Sequence, residues 1–201
     1  MTTRVFTCDQ DYRSELADAL EGFGTRVRHA QAMAAWTGPS PCTGWTAADV
    51  VTHVTGNVHA FINIVGGGAD DGGQREQAGQ QPLSGPADLA GRWTRAKAAA
   101  DRILGACDPA AVLPMPLGSR QMTVAFAIEA LLRDVVIHTW DVARATRDDE
   151  TLPPHLVTAA SAALASLPVP IRLRGYYAAP LEPPLDATDQ IRLLAESGRL
   201  A

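Results

Sequence analysis

The stretch Asp134-Val135-Val136-Ile137-His138-Thr139-Trp140-Asp141-Val142-Ala143-Arg144 decides how this chain is read. Its apolar residues recur at helical spacing: Ile128, Leu131, Val135, Val142 and Ala145 form one stripe, the signature of a helix facing a core. Asp134 and His138 are four residues apart, so on that helix they stand one above the other on a single face, beside or within the stripe. A carboxylate in such a setting needs a partner. An imidazole and a carboxylate one turn apart are a chelating pair for a borderline divalent cation, but two protein ligands are too few for a stable site. His53 is the candidate for the third. The same Asp-x-x-x-His spacing also arises by chance on any helix, and the pair alone does not specify a metal.

Outward from this motif the chain reads as helices. From Asp11 to Ala35, Leu16, Ala19, Leu20, Phe23, Val27, Ala30 and Ala34 step by three and four, with Gly22 and Gly24 weakening the pattern. The span from Thr37 to Gly44, with Gly38, Pro39 and Pro41, reads as a loop. Thr46 and Asp49 then form a variant capping box that opens a second helix running to Val65 and carrying His53. A Gly- and Gln-rich stretch follows to Pro86; its Asp70 and Asp71 match no calcium-loop spacing and read as part of a loop. Leu89, Trp93, Ala96, Ala100, Ile103 and Leu104 mark a third helix ending near Cys107, and Val112 to Gly118 reads as an extended connector. The fourth helix spans Thr123 to Thr146 and holds the opening motif. A shorter helix is expected from Pro154 to Ser166, then a Pro-rich tail with a last helical turn or two at Thr188 to Glu196. No repeat is visible. The expected fold class is all-α, an antiparallel four-helix bundle with a short extra helix and a Pro-rich C-terminal tail. Such a core is a usual place for metal sites built from facing helices.

At 201 residues and 46% hydrophobic content, one domain with a substantial core is expected over 1–201, its segment 167–201 packing on the bundle as a tail. The net charge of -5, with positive residues scattered, excludes a phosphate-backbone surface, so no nucleic-acid partner is expected. Cys8, Cys42 and Cys107 are odd in number and lack CxxC spacing, which argues against a disulfide framework or a thiolate zinc site. No apolar run has the length of a membrane span, and the first residues lack a signal-peptide pattern. A cytoplasmic protein with no membrane partner is expected, a monomer or a homodimer.

The entry Pro41-Cys42-Thr43-Gly44-Trp45-Thr46 ahead of His53, and Asp134-x-x-x-His138-Thr139-Trp140-Asp141-x-Ala143-Arg144 on the last long helix, resemble the DinB-like superfamily. More narrowly, the chain is similar to the metal-binding domain of the mycothiol-dependent maleylpyruvate isomerase family, including its Leu193-Leu194-Ala195-Glu196-Ser197-Gly198-Arg199 ending. The resemblance implies a four-helix bundle with one divalent metal held by His53, Asp134 and His138. The isomerase has Glu where this chain has Asp134, and it carries a further C-terminal domain that the stretch after Leu167 is too short to form. A stand-alone relative acting on another electrophile is therefore expected.

Three protein ligands leave a coordination position open, as in catalytic rather than structural sites. The resemblance implies that mycothiol or a similar thiol fills it, for S-transfer or cis–trans isomerisation of an electrophilic small molecule. Two imidazoles and a carboxylate suit zinc, and also nickel or iron. Asp141 and Arg144 are the further catalytic candidates. Asp141 could orient a ligand, accept a proton or cap a neighbour; Arg144 could meet an anionic cofactor or substrate, or pair with Asp141. Asn57, four residues from His53, is a weaker candidate. Trp45 and Trp140 read as packing, and His29, His59 and His155 as incidental, the first and last lacking a carboxylate at useful spacing. The competing classes are a metal-dependent hydrolase using bound water and a noncatalytic metal or small-molecule binding protein. No Gly-x-Ser-x-Gly elbow supports a serine hydrolase.

Overall fold

The structure is a computed structural model that describes residues 5–67, 88–114, 121–167 and 178–200. The loop with Asp70 and Asp71, the 115–118 part of the connector and the 168–177 part of the tail lie outside those residues. Four long helices build the core: α1 (Arg13–Ala32), α2 (Ala47–Val65), α3 (Leu89–Ala106) and α4 (Val124–Thr146). Each packs on two of the others, in the cyclic order α1, α3, α2, α4, so a single core runs between them. Two further helices follow, α5 (Pro154–Ala165), which packs on α4, and α6 (Asp189–Glu196), which packs on α5. The fold is all-α, a DinB-like bundle.

Most of α4 is buried all round, because α1, α2 and α5 all lean on it. Its interior hydroxyls satisfy themselves: Thr139 donates to the Val135 carbonyl at 2.7 Å and Thr146 to that of Val142 at 2.9 Å. Its buried Glu129, Arg133, His138 and Asp141 need partners of another kind. Helix α2 starts where the sequence says it should. The Thr46 hydroxyl accepts from the Asp49 amide at 3.3 Å and the Asp49 carboxylate accepts from the Thr46 amide at 2.8 Å, a complete capping box with Asp in the role usual for Glu.

The expected elements recur with small shifts. Helix α1 ends at Ala32 rather than Ala35, because Ala34 turns left-handed (φ 49°) and the Ala35 amide reaches back to the Ala30 carbonyl, folding Trp36 inward. Gly24, a weak helix former, is explained by its neighbour: a Cβ there would sit 2.8 Å from the Trp93 ring nitrogen of α3, and Trp93 in turn lies on Phe23 with ring centroids 4.6 Å apart. A small sheet was not expected. Strands β1 (Val5–Phe6), β2 (Val112–Pro114) and β3 (Gln121–Thr123) pair in the order β1-β3-β2, with β1 parallel to β3 and β2 antiparallel to it. The strands are two or three residues long and pair across the chain, too short for any alternation to mark them in the sequence. They clip Val5–Phe6 and Val112–Pro114 to the start of α4.

Candidate metal centre

Helices α2 and α4 pack side by side, and at their contact three side chains converge. Asp134 Oδ1 lies 3.7 Å from His53 Nε2 and 3.5 Å from His138 Nε2, and the three donor atoms are all within 4.8 Å of one another. Donors bonded at about 2.0–2.1 Å to one tetrahedral ion stand about 3.4 Å apart. The two measured edges match that spacing and are too long for good hydrogen bonds, so two imidazoles and a carboxylate face a common point. The residues fit a divalent cation of the first transition row.

Two of the donors, His138 and Asp134, are held from behind. His138 Nδ1 lies 2.8 Å from Asp141 Oδ2; with the proton on Nδ1, the imidazole turns its Nε2 lone pair toward Asp134 and His53. Asp141 is fully buried, and Arg199 grips it with two prongs, Nη2 to Oδ2 at 2.9 Å and Nε to Oδ1 at 3.3 Å. The Cys42 thiol completes this layer, 3.4 Å from Asp141 Oδ2 and 3.4 Å from Arg199 Nη2. On the other side the Asn57 amide donates to Asp134 Oδ2 at 2.9 Å and lies 3.0 Å from His53 Nε2. The Trp45 ring covers both imidazoles, tilted on His53 at 5.0 Å and stacked over His138 at 6.3 Å between centroids.

Electrostatics follow from this crowding. Burial pushes the Asp134 carboxyl up, but His138 and His53 beside it outweigh burial and hold it well below the ordinary carboxylate range. Burial likewise raises Asp141, and the hydrogen bonds from His138 and Arg199 bring it net below its usual value. For His138 burial favours the neutral ring, whereas Asp134 and Asp141 on its two sides lift its pKa well above that of free imidazole. In the metal-free protein the two flanking carboxylates favour the charged imidazole.

His53, Asp134 and His138 therefore come together, and Asp141 lies directly behind His138. Both Asp141 oxygens are engaged and the residue has no exposure, which suits holding His138. Arg144 does not join them: it is exposed, pairs with Glu150 at 2.7 Å rather than with Asp141, and lies over the outer face of Trp140 at 4.6 Å. Nor are His29 and His155 without carboxylates, since His29 lies 3.6 Å from Asp148 and His155 3.2 Å from Asp18; these partners come from distant parts of the chain. Sequence reasoning missed Cys42 and Arg199. Both stand in the motifs quoted for the resemblance, yet no local spacing joins either to Asp141.

The family described as the mycothiol maleylpyruvate isomerase N-terminal domain matches residues 14–143, well over half of the chain. The chain belongs to that family. The matched region contains His53, Asp134, His138 and Asp141, and stops short of α5, α6 and Arg199. Among curated proteins, similar sequences occur as uncharacterized proteins in two strains of Mycobacterium tuberculosis, each 30% identical over 131 residues. The match spans 65% of this chain and 65% of each relative's own length. No solved structure matches the chain to a significant degree. Among the described residues no helix is long and apolar enough to cross a membrane.

Proposed function

We propose that this protein is a divalent-metal-dependent enzyme that uses a low-molecular-weight thiol of the mycothiol kind. Its reaction is S-transfer to an electrophilic small molecule or cis–trans isomerisation through reversible thiol addition to a double bond. The observation that carries this reading is the convergence of His53, Asp134 and His138 at metal-ligand spacing within a family named for mycothiol chemistry. His53, Asp134 and His138 would hold the ion, zinc by their donor types, with nickel or iron also suited. A cation held there would supply Lewis acidity able to lower the pKa of a thiol.

The chain's own side chains do the rest. Asp141 keeps His138 in the tautomer whose Nε2 is free to bind, and Asn57 fixes the Asp134 carboxylate from the α2 side. His53 is the most exposed ligand, its side chain 35% accessible against 8% for His138, so the thiol approaches past His53 and the indole of Trp45. That ring excludes water from one side and offers an apolar wall to an electrophile.

Elemental analysis of the purified protein beside His53→Ala and His138→Ala tests the ligands: the parent is expected to hold one divalent ion per chain and each variant to lose it. Equal metal content in all three would end the assignment. Turnover of an activated, unsaturated electrophile should then require added thiol. Turnover with metal alone would replace transfer by hydrolysis, and binding without turnover would leave a noncatalytic binding protein.

A further inference from the structure

We infer that Arg199, carried in by the C-terminal segment beyond the matched family region, is a positioning residue of the metal centre. Its guanidinium fork sets the plane of the Asp141 carboxylate, and through it the direction in which His138 Nε2 points. The inference rests on the reading of His53, Asp134 and His138 as the ligands.

The χ2 torsion of an aspartate is broad and poorly self-determined, so a single hydrogen bond leaves its carboxylate free to swing. Here one guanidinium bonds both oxygens, Nη2 to Oδ2 and Nε to Oδ1, which removes that freedom. The same Oδ2 receives His138 Nδ1 at 2.8 Å, so the plane imposed by Arg199 is passed to the imidazole. The fork is buried, with Arg199 side-chain exposure at 9% and that of Asp141 at zero. Buried ion pairs are on balance weak contributors to stability, so a pair placed directly behind a candidate ligand is better accounted for by the geometry it enforces.

The backbone is built to deliver this side chain. Helix α6 closes in a Schellman turn, with the Arg199 amide bonded to the Leu194 carbonyl at 2.8 Å and the Gly198 amide to that of Ala195 at 2.9 Å. Gly198 takes the left-handed conformation (φ 80°) and packs so closely on Ala178 that a Cβ would come within 2.5 Å of it. Leu193 and Leu194 anchor the turn in the main core, and the Ser197 carbonyl accepts from Arg199 Nη1 at 2.7 Å, steering the guanidinium toward Asp141.

Cobalt(II), added to the chelator-treated full-length protein, is the probe, because its visible absorption bands report ligand geometry as well as occupancy. The parent is expected to saturate at one cobalt per chain and His138→Ala to give no bands. Arg199→Lys keeps the charge but cannot make two parallel bonds; it should fold, bind cobalt about tenfold more weakly and show shifted bands. Arg199→Gln should lose about 10- to 100-fold in affinity where circular dichroism shows it folded. A folded Arg199→Lys protein with the parent's affinity and spectrum overturns the inference. Absence of cobalt bands in the parent would instead overturn the ligand assignment, and this inference with it.

Discussion

Asn57 and Asp134 join α2 to α4 at the candidate metal centre: the Asn57 amide donates to Asp134 Oδ2 at 2.9 Å, leaving Oδ1 turned toward the two histidines. Replacing Asn57 by Ala frees the carboxylate to rotate. We expect metal affinity to fall by about tenfold, the usual cost of a lost partner behind a ligand, with a loss of about 1.5–3 kcal/mol in stability for a hydrogen bond to a charged group. Calorimetric titration and a thermal melt on the same variant read both. Unchanged affinity would show that Asp134 is held by other means.

The two histidines should behave differently when removed. His53 is the more exposed, so His53→Ala should abolish metal binding while lowering the metal-free melting temperature less than His138→Ala does. His138→Ala takes the imidazole from between two carboxylates, with Asp141 keeping Arg199, and should cost about 3–5 kcal/mol in the metal-free protein as well as the metal. Denaturant melts of chelator-treated protein separate them; equal stability losses would contradict the burial order.

The pH dependence of the metal-free protein follows from the raised pKa of His138 and the lowered pKa values of Asp134 and Asp141. A raised histidine contributes stability in full below its unfolded value, near 6.5, and loses it as pH climbs through the folded value. Lowered carboxylates contribute in full above their unfolded value, near 3.9, and lose it as pH drops through the folded value. Metal-free protein should therefore be most stable between roughly pH 4 and 6.5 as far as these groups decide it. Because metal needs neutral His138, metal uptake should release about one proton and strengthen as pH rises. Melts in chelator across pH, and titrations in buffers of different ionisation enthalpy, would show it. A stability maximum confined to alkaline pH would contradict it.

Gly22 and Gly24 lie two residues apart in α1 and should respond oppositely to alanine. Nothing lies within 4 Å of a Cβ at Gly22, so Gly22→Ala should stabilise by about 0.5–1 kcal/mol through helix propensity. Gly24→Ala would press on the Trp93 ring nitrogen and should destabilise by about 1–3 kcal/mol. Paired denaturation curves give the sign of each directly.

What the chain determined by itself is what depends on near neighbours. Helical periodicity, the Thr46–Asp49 capping box and Pro154 at a helix start placed α1 to α5 to within a few residues, because those signals act within one or two turns. The four-residue spacing put Asp134 and His138 on one face for the same reason. Bringing His53 to them across the α2–α4 contact was only implied by family resemblance. Tertiary structure alone decided the partners: Arg144 turned to Glu150, while Arg199 reached Asp141 across 58 residues of chain. It alone placed Cys42 against Asp141 and paired the short strands. Contacts of that separation are set by how whole helices pack and where loops close, and a side chain's choice among several carboxylates leaves no mark in the residues beside it.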